Sequence, residues 1–96
     1  MTVQELIELT GARDMTPDAP KDTEVTCGYT CDLLSWVMGR AQAGNVWITI
    51  MSNVNTVAVA SLSDVSAVIL AEGVTLEDSI AGTADMKGID ILSSSL

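Results

Sequence analysis

Asn45-Val46-Trp47-Ile48-Thr49-Ile50-Met51, the turn Ser52-Asn53, the segment Val54 to Asp64, and then Ser66-Ala67-Val68-Ile69-Leu70 decide the fold of this chain. The first and last pieces are near-continuous apolar runs, the first rich in β-branched residues, which is the pattern of strands buried on both faces. The middle piece is mixed. Val54, Val57 and Val59 have strand propensity, while Val54, Val57, Ala58, Ser61 and Leu62 keep helical spacing. Two parallel strands need a crossover of about a dozen residues, so residues 53–64 are expected to form a helix. The stretch as a whole is a strand–helix–strand unit.

Upstream, Thr23 to Tyr29 alternates around Val25 and Cys27 and predicts a first strand. Gly28-Tyr29-Thr30-Cys31-Asp32-Leu33-Leu34-Ser35-Trp36-Val37-Met38-Gly39-Arg40-Ala41 leads from that strand into an amphipathic helix. Leu33, Leu34, Val37 and Ala41 form its apolar stripe, with Met38 on the margin, and Gly44 is the expected left-handed cap. Thr2 and Glu5 make a capping box for a helix over residues 2–10, in which Val3, Leu6, Ile7 and Thr10 share a face before Gly11. Ala12 to Asp22, with Pro17, Pro20 and three aspartates, predicts a loop. Downstream, Thr75 with Asp78 is expected to cap a helix that places Leu76, Ile80 and Ala84 on one face and closes at Lys87-Gly88. Ile89 to Ser93 supplies the last strand, and Ser94 to Leu96 an end that frays. The expected fold is therefore α/β: a compact single domain over residues 1–96, with an N-terminal helix, then four mainly parallel strands joined by three crossover helices.

The 96 residues include 13 acidic side chains against Arg13, Lys21, Arg40 and Lys87, for a net charge of -9. Such a field repels phosphate backbones and anionic lipid, which argues against nucleic-acid and membrane partners. No apolar run approaches a membrane span and no export signal is present, so a cytoplasmic protein is expected. Apolar residues make up 48% and charged residues 18%. That is more apolar surface than a domain of this size hides, which favours association, most simply with a second copy.

The chain has no histidine, which removes Ser-His and Cys-His catalysis and the commonest metal ligand. No glycine-rich phosphate loop is present. Cys27 and Cys31 offer two thiolates at C-x3-C spacing, half of a metal site, beside the alternative of inert reduced thiols; Cys31 is expected near a helix N-terminus. Tyr29, Thr30, Cys31 and Asp32 fall at the carboxyl end of the first strand, and Ser52, Asn53 and Asn55 at the equivalent turn after the second, the edge where open α/β sheets bind ligands. Helix capping by Thr30, Asp32 or Asn53 accounts for the same residues without a ligand. Trp36 and Arg40 project away from the apolar stripe, and Ser35 and Gly39 allow close approach of another helix. These residues, with Val59 and Ala60 outside the main stripe of the second crossover helix, form the candidate dimer surface.

Through Gly28 to Gly39, Trp47-Ile48-Thr49-Ile50 and Val57-Ala58-Val59-Ala60, the chain resembles a small stand-alone member of the DRTGG-domain family. It is similar in turn to the N-terminal, non-kinase domain of HPr kinase/phosphorylase. The resemblance covers residues from about Val3 onward. It implies a compact α/β fold, dimerisation and a regulatory or sensing role without settled catalytic chemistry, in a redox or hydrogen-linked setting beside signalling proteins. The name-giving residues differ: Ser52-Asn53 stands where the family has Asp-Arg, and Ala71-Glu72-Gly73 where it has Thr-Gly-Gly. A kinase activity is not expected, because no P-loop is present.

Three functions follow as expectations. The first is a non-catalytic regulatory homodimer without a cofactor. The second is an anion or nucleotide sensor at the strand carboxyl ends, and the third a thiol or metal site built from Cys27 and Cys31.

Overall fold

Thr2 fixes where the first helix begins. Its Oγ1 accepts from the Glu5 N–H at 3.2 Å while its own N–H donates to Glu5 Oε1 at 2.9 Å, and hydrogen bonding from Thr2, its backbone N–H first, holds the Glu5 carboxyl below its ordinary value. Gly11 closes the helix at φ +66°, donating to the Ile7 carbonyl. In the computed structural model, which describes residues 1–95, the elements follow as α1 (Val3–Thr10), β1 (Arg13–Asp14), β2 (Cys27–Thr30), α2 (Leu34–Arg40), β3 (Asn45–Thr49), α3 (Val54–Ser63), β4 (Ala67–Leu70), α4 (Asp78–Met86) and β5 (Ile91–Ser93). The α/β architecture expected from the sequence is present.

One sheet runs in the order β1-β5-β4-β3-β2. β2 to β5 are parallel, with Tyr29 opposite Trp47, Trp47 opposite Val68, and Val68 opposite Ile91. Successive strands step across the sheet in one direction, so right-handed crossovers bring α2, α3 and α4 to the same face. There Val37, Trp47, Val57, Val59, Ala60, Val68, Leu70, Leu76, Ala84 and Ile91 form the larger core. The opposite face is covered by α1, whose Val3 and Leu6 pack with Val46, Ala67, Ile69 and Leu92.

Several expectations are corrected. A fifth strand, β1, pairs antiparallel with β5 through Arg13–Ser93 and Asp14–Leu92 within the segment expected to be a loop. Two charged residues carry no strand periodicity, and they form a strand because β5 would otherwise be an open edge. The helix after β2 ends at Arg40, capped by extended Ala41, and Gly44 instead takes φ +86° in the turn before β3. α4 begins at Asp78 with Glu77 as N-cap and no side-chain cap, so Thr75 does not serve. Ser94 does not fray: its N–H donates to the Leu70 carbonyl at 2.8 Å and its carbonyl accepts from Gly73 at 2.7 Å. Leu96 lies outside the described residues.

Candidate functional site

The carboxyl ends of β2 and β3 do come together, but their polar atoms face each other. Asp32 Oδ1 accepts from Thr49 Oγ1 at 2.8 Å and from the Ile50 N–H at 3.3 Å. Asp32 therefore staples the β2–α2 turn to the end of β3 and does not cap α2. The N-cap of α2 is Leu33, which offers no side-chain acceptor. Asn53 caps α3, its Oδ1 accepting from the Asn55 and Thr56 N–H groups at 2.9 and 3.3 Å. Thr56 Oγ1 donates back to the Met51 carbonyl at 2.9 Å. Capping and stapling thus account for Asp32 and Asn53, while Thr30 and the Asn55 side chain stand exposed and Ser52 is half-buried. Thr49, the partner that gives Asp32 its role, lies inside a β-branched run in the sequence and carries no local sign of that task.

A second cluster forms where β2 meets α2. Tyr29 and Cys31 are half-buried against the larger core. Burial raises the Tyr29 phenol above its ordinary value, the adjacent Cys31 thiol adds to the rise, and the Arg40 charge opposes it. The Arg40 guanidinium stacks 3.9 Å above the Trp36 ring. Beneath them Trp47 is fully buried, its Nε1 donating to the Cys31 carbonyl at 2.8 Å. Aromatic, cationic and thiol side chains therefore converge here through packing.

The C-x3-C pair does not converge. Cys27 opens β2 and is exposed, whereas Cys31 follows its end and is half-buried. A strand rises about 3.3 Å per residue, so four steps separate the two by roughly 13 Å, too far to ligate one ion. Among the described residues, no group of three or more His, Cys, Asp or Glu is gathered to hold a metal. Cys31 also lies outside α2, its Sγ accepting from the Leu33 N–H at 3.4 Å.

Of the candidate dimer residues, Ser35, Trp36 and Gly39 stand exposed on α2. Val59 and Ala60 are corrected: they are 5% and 2% exposed and belong to the chain's own core. α3 is apolar on several sides because it packs between the sheet and its neighbouring helices, and its outward large apolar residues are Val54 and Leu62. No helix among the described residues is long and apolar enough to cross a membrane. No protein-family model matches the chain, and no curated protein matches it.

Proposed function

We propose that the chain is a non-catalytic regulatory module that works as a homodimer, joined through α2 and the open edge of β2. The observation that carries this reading is the distribution of charge. Between Val25 and Ser63, the span of β2, α2, β3 and α3, the charged residues are Asp32 and Arg40 alone. One is negative and one positive, so the net charge of -9 resides entirely in the rest of the chain. Two copies meeting through the neutral half keep their acidic halves far apart, where salt screens the repulsion.

The neutral half also carries most of the large apolar side chains exposed on the chain. Leu33, Trp36 and Met38 are 53%, 50% and 56% exposed. β2 is the terminal strand of the sheet, and Cys27 to Thr30 carries no Lys, Pro or other charge of the kind that blunts an edge. A self-complementary pairing of such a surface gives a closed two-fold dimer. The DRTGG resemblance supports both the dimer and the regulatory role, and by itself points to a redox or hydrogen-linked setting.

Light scattering after size exclusion tests the dimer directly. Twice the chain mass of 10.1 kDa is expected at micromolar concentration, and Trp36→Glu with Met38→Glu should return it to the monomer mass. A wild-type chain that stays monomeric at high micromolar concentration overturns the reading.

A further inference from the structure

α1 spans eight residues, about 12 Å at 1.5 Å per residue, and covers its face of the sheet only in part. Beyond its last turn, Thr10, Ile48, Ile69, Ala71 and Ser94 line a half-open cavity of about 220 Å³. Ile48 lies in β3, Ile69 in β4, and Ala71 and Ser94 just past the ends of β4 and β5. The cavity thus sits at the carboxyl edge of the parallel strands.

We infer that this cavity is a binding site for a small, uncharged, apolar molecule, of the bulk of one or two fused aromatic rings. Its volume sets the size. An apolar protein cavity of roughly 150 Å³ accepts benzene, whereas drug-sized and nucleotide-sized ligands occupy roughly 300–1,000 Å³. Its lining sets the polarity. None of the five residues is ionisable, and Thr10 Oγ1 is engaged locally, donating to the Leu6 carbonyl at 2.8 Å and accepting from the Ala12 N–H at 3.3 Å. Thr10 therefore has its hydroxyl committed to its own helix end.

Charge selects among occupants. An anion would find no cation in the lining and a net field of -9 around it. Four of the five lining residues, all but Ile48, lie in the part of the chain that holds every acidic residue except Asp32, so a second copy approaching there would set like charge against like. A neutral small molecule meets neither obstacle. The site lies on the opposite face of the sheet from α2, so the inference goes beyond the homodimer reading and does not rest on it.

Methyl NMR of the full chain tests it, with indole and toluene as neutral probes and AMP as the anionic one. Indole or toluene should shift the Ile48 and Ile69 methyl resonances saturably in the millimolar range and leave those of distant Val57 unmoved. Ala71→Leu, which fills the cavity, should weaken the probe affinity about tenfold or more, and Thr10→Leu fills the same space from the α1 side if the first variant folds poorly. Trp36→Glu should bind the probes as the wild type does, which separates failure here from failure of the dimer. Absence of saturable Ile48 and Ile69 shifts, undiminished binding in both filled variants, or AMP shifting these methyls in preference to indole overturns the inference.

Discussion

Lys21 Nζ stands 2.5 Å from Asp90 Oδ1 and, through that contact, fastens the 14–22 segment to the entrance of β5. The same ammonium donates to the Thr16 and Ala19 carbonyls, each at 2.7 Å, and lies 3.4 Å from Asp14 Oδ2. Asp90's side chain is 1% exposed and Lys21's 18%. Removing the cation strands a buried carboxylate, so Lys21→Met should lower stability by about 3 kcal/mol in urea unfolding. Asp90→Asn, which keeps a polar acceptor, should cost less. A Lys21→Met variant as stable as the wild type would show that Thr16 and β1 hold the segment unaided.

The pH dependence of this pair has a definite sign. Burial raises the Asp90 carboxyl above its ordinary 3.8, Lys21 opposes the rise, and Asp14 and Asp85 add to it. A carboxyl with a raised folded value holds its proton more tightly folded than unfolded. Its contribution to stability therefore grows as pH falls from the raised value toward the ordinary one, and is lost as pH rises. Relief of the overall negative charge on acidification acts in the same direction, so the comparison must be with a variant. The stability of wild type relative to Asp90→Asn should increase from pH 7 toward pH 4. A decrease would mean that attraction to Lys21 outweighs burial.

The parts of this fold legible in the sequence are those where local and tertiary demands agree. Val46 to Thr49 and Ala67 to Leu70 are β-branched and apolar because they lie at the centre of the sheet, so period and propensity point the same way. The Thr2–Glu5 capping box is local by construction. β1 was not legible, since Arg13 and Asp14 are strand residues only through β5, some eighty positions away. The candidate site was legible as a place, the carboxyl edge, but not in its wiring. Asp32 looks like a helix cap until Thr49 is brought beside it, and Val59 and Ala60 look like spare apolar surface until α3 is packed. The cavity left no trace at all, because its five residues come from four separate segments.

Asp32 offers a direct distinction between staple and ligand contact. Its carboxylate accepts from one hydroxyl and one backbone N–H, so Asp32→Ala should cost about 1–2 kcal/mol of stability. Asp32→Asn, retaining Oδ1, should recover most of that loss. Calorimetric melting that left Asp32→Ala at the wild-type temperature would remove the stapling role and return the residue to the list of ligand contacts.

Gly44 takes φ +86° where the chain turns from α2 into β3, and a Cβ placed there would lie 2.8 Å from Thr26 Oγ1. Its N–H donates to the Asp64 carbonyl and its carbonyl accepts from Thr26, so the turn joins β2, β3 and the end of α3. Gly44→Ala should destabilise by about 1–3 kcal/mol. The exposed Thr26 hydroxyl can rotate aside, whereas the backbone angle cannot change without breaking those bonds. Adding Thr26→Ala should therefore restore only the smaller part of the loss, and full restoration in denaturant melts would assign the cost to the clash.

Trp36 and Trp47 separate the proposed interface from the core in a single fluorescence measurement. Trp47 is fully buried with its indole N–H satisfied, and Trp36 is half-exposed beneath Arg40. Quenching requires a neutral agent, since a net charge of -9 repels iodide. In dilute solution, acrylamide should quench a red-shifted component that disappears in Trp36→Phe, leaving blue-shifted, protected emission from Trp47. If two copies meet through α2, the quenchable component should shrink as protein concentration rises through the dissociation constant, while Trp47 emission stays constant. Val59→Ala should behave in the opposite manner: a buried core residue loses about 1–2 kcal/mol of fold stability on truncation and leaves the concentration at which Trp36 becomes protected unchanged. Quenching of Trp36 that is independent of concentration would place α2 outside any self-association surface.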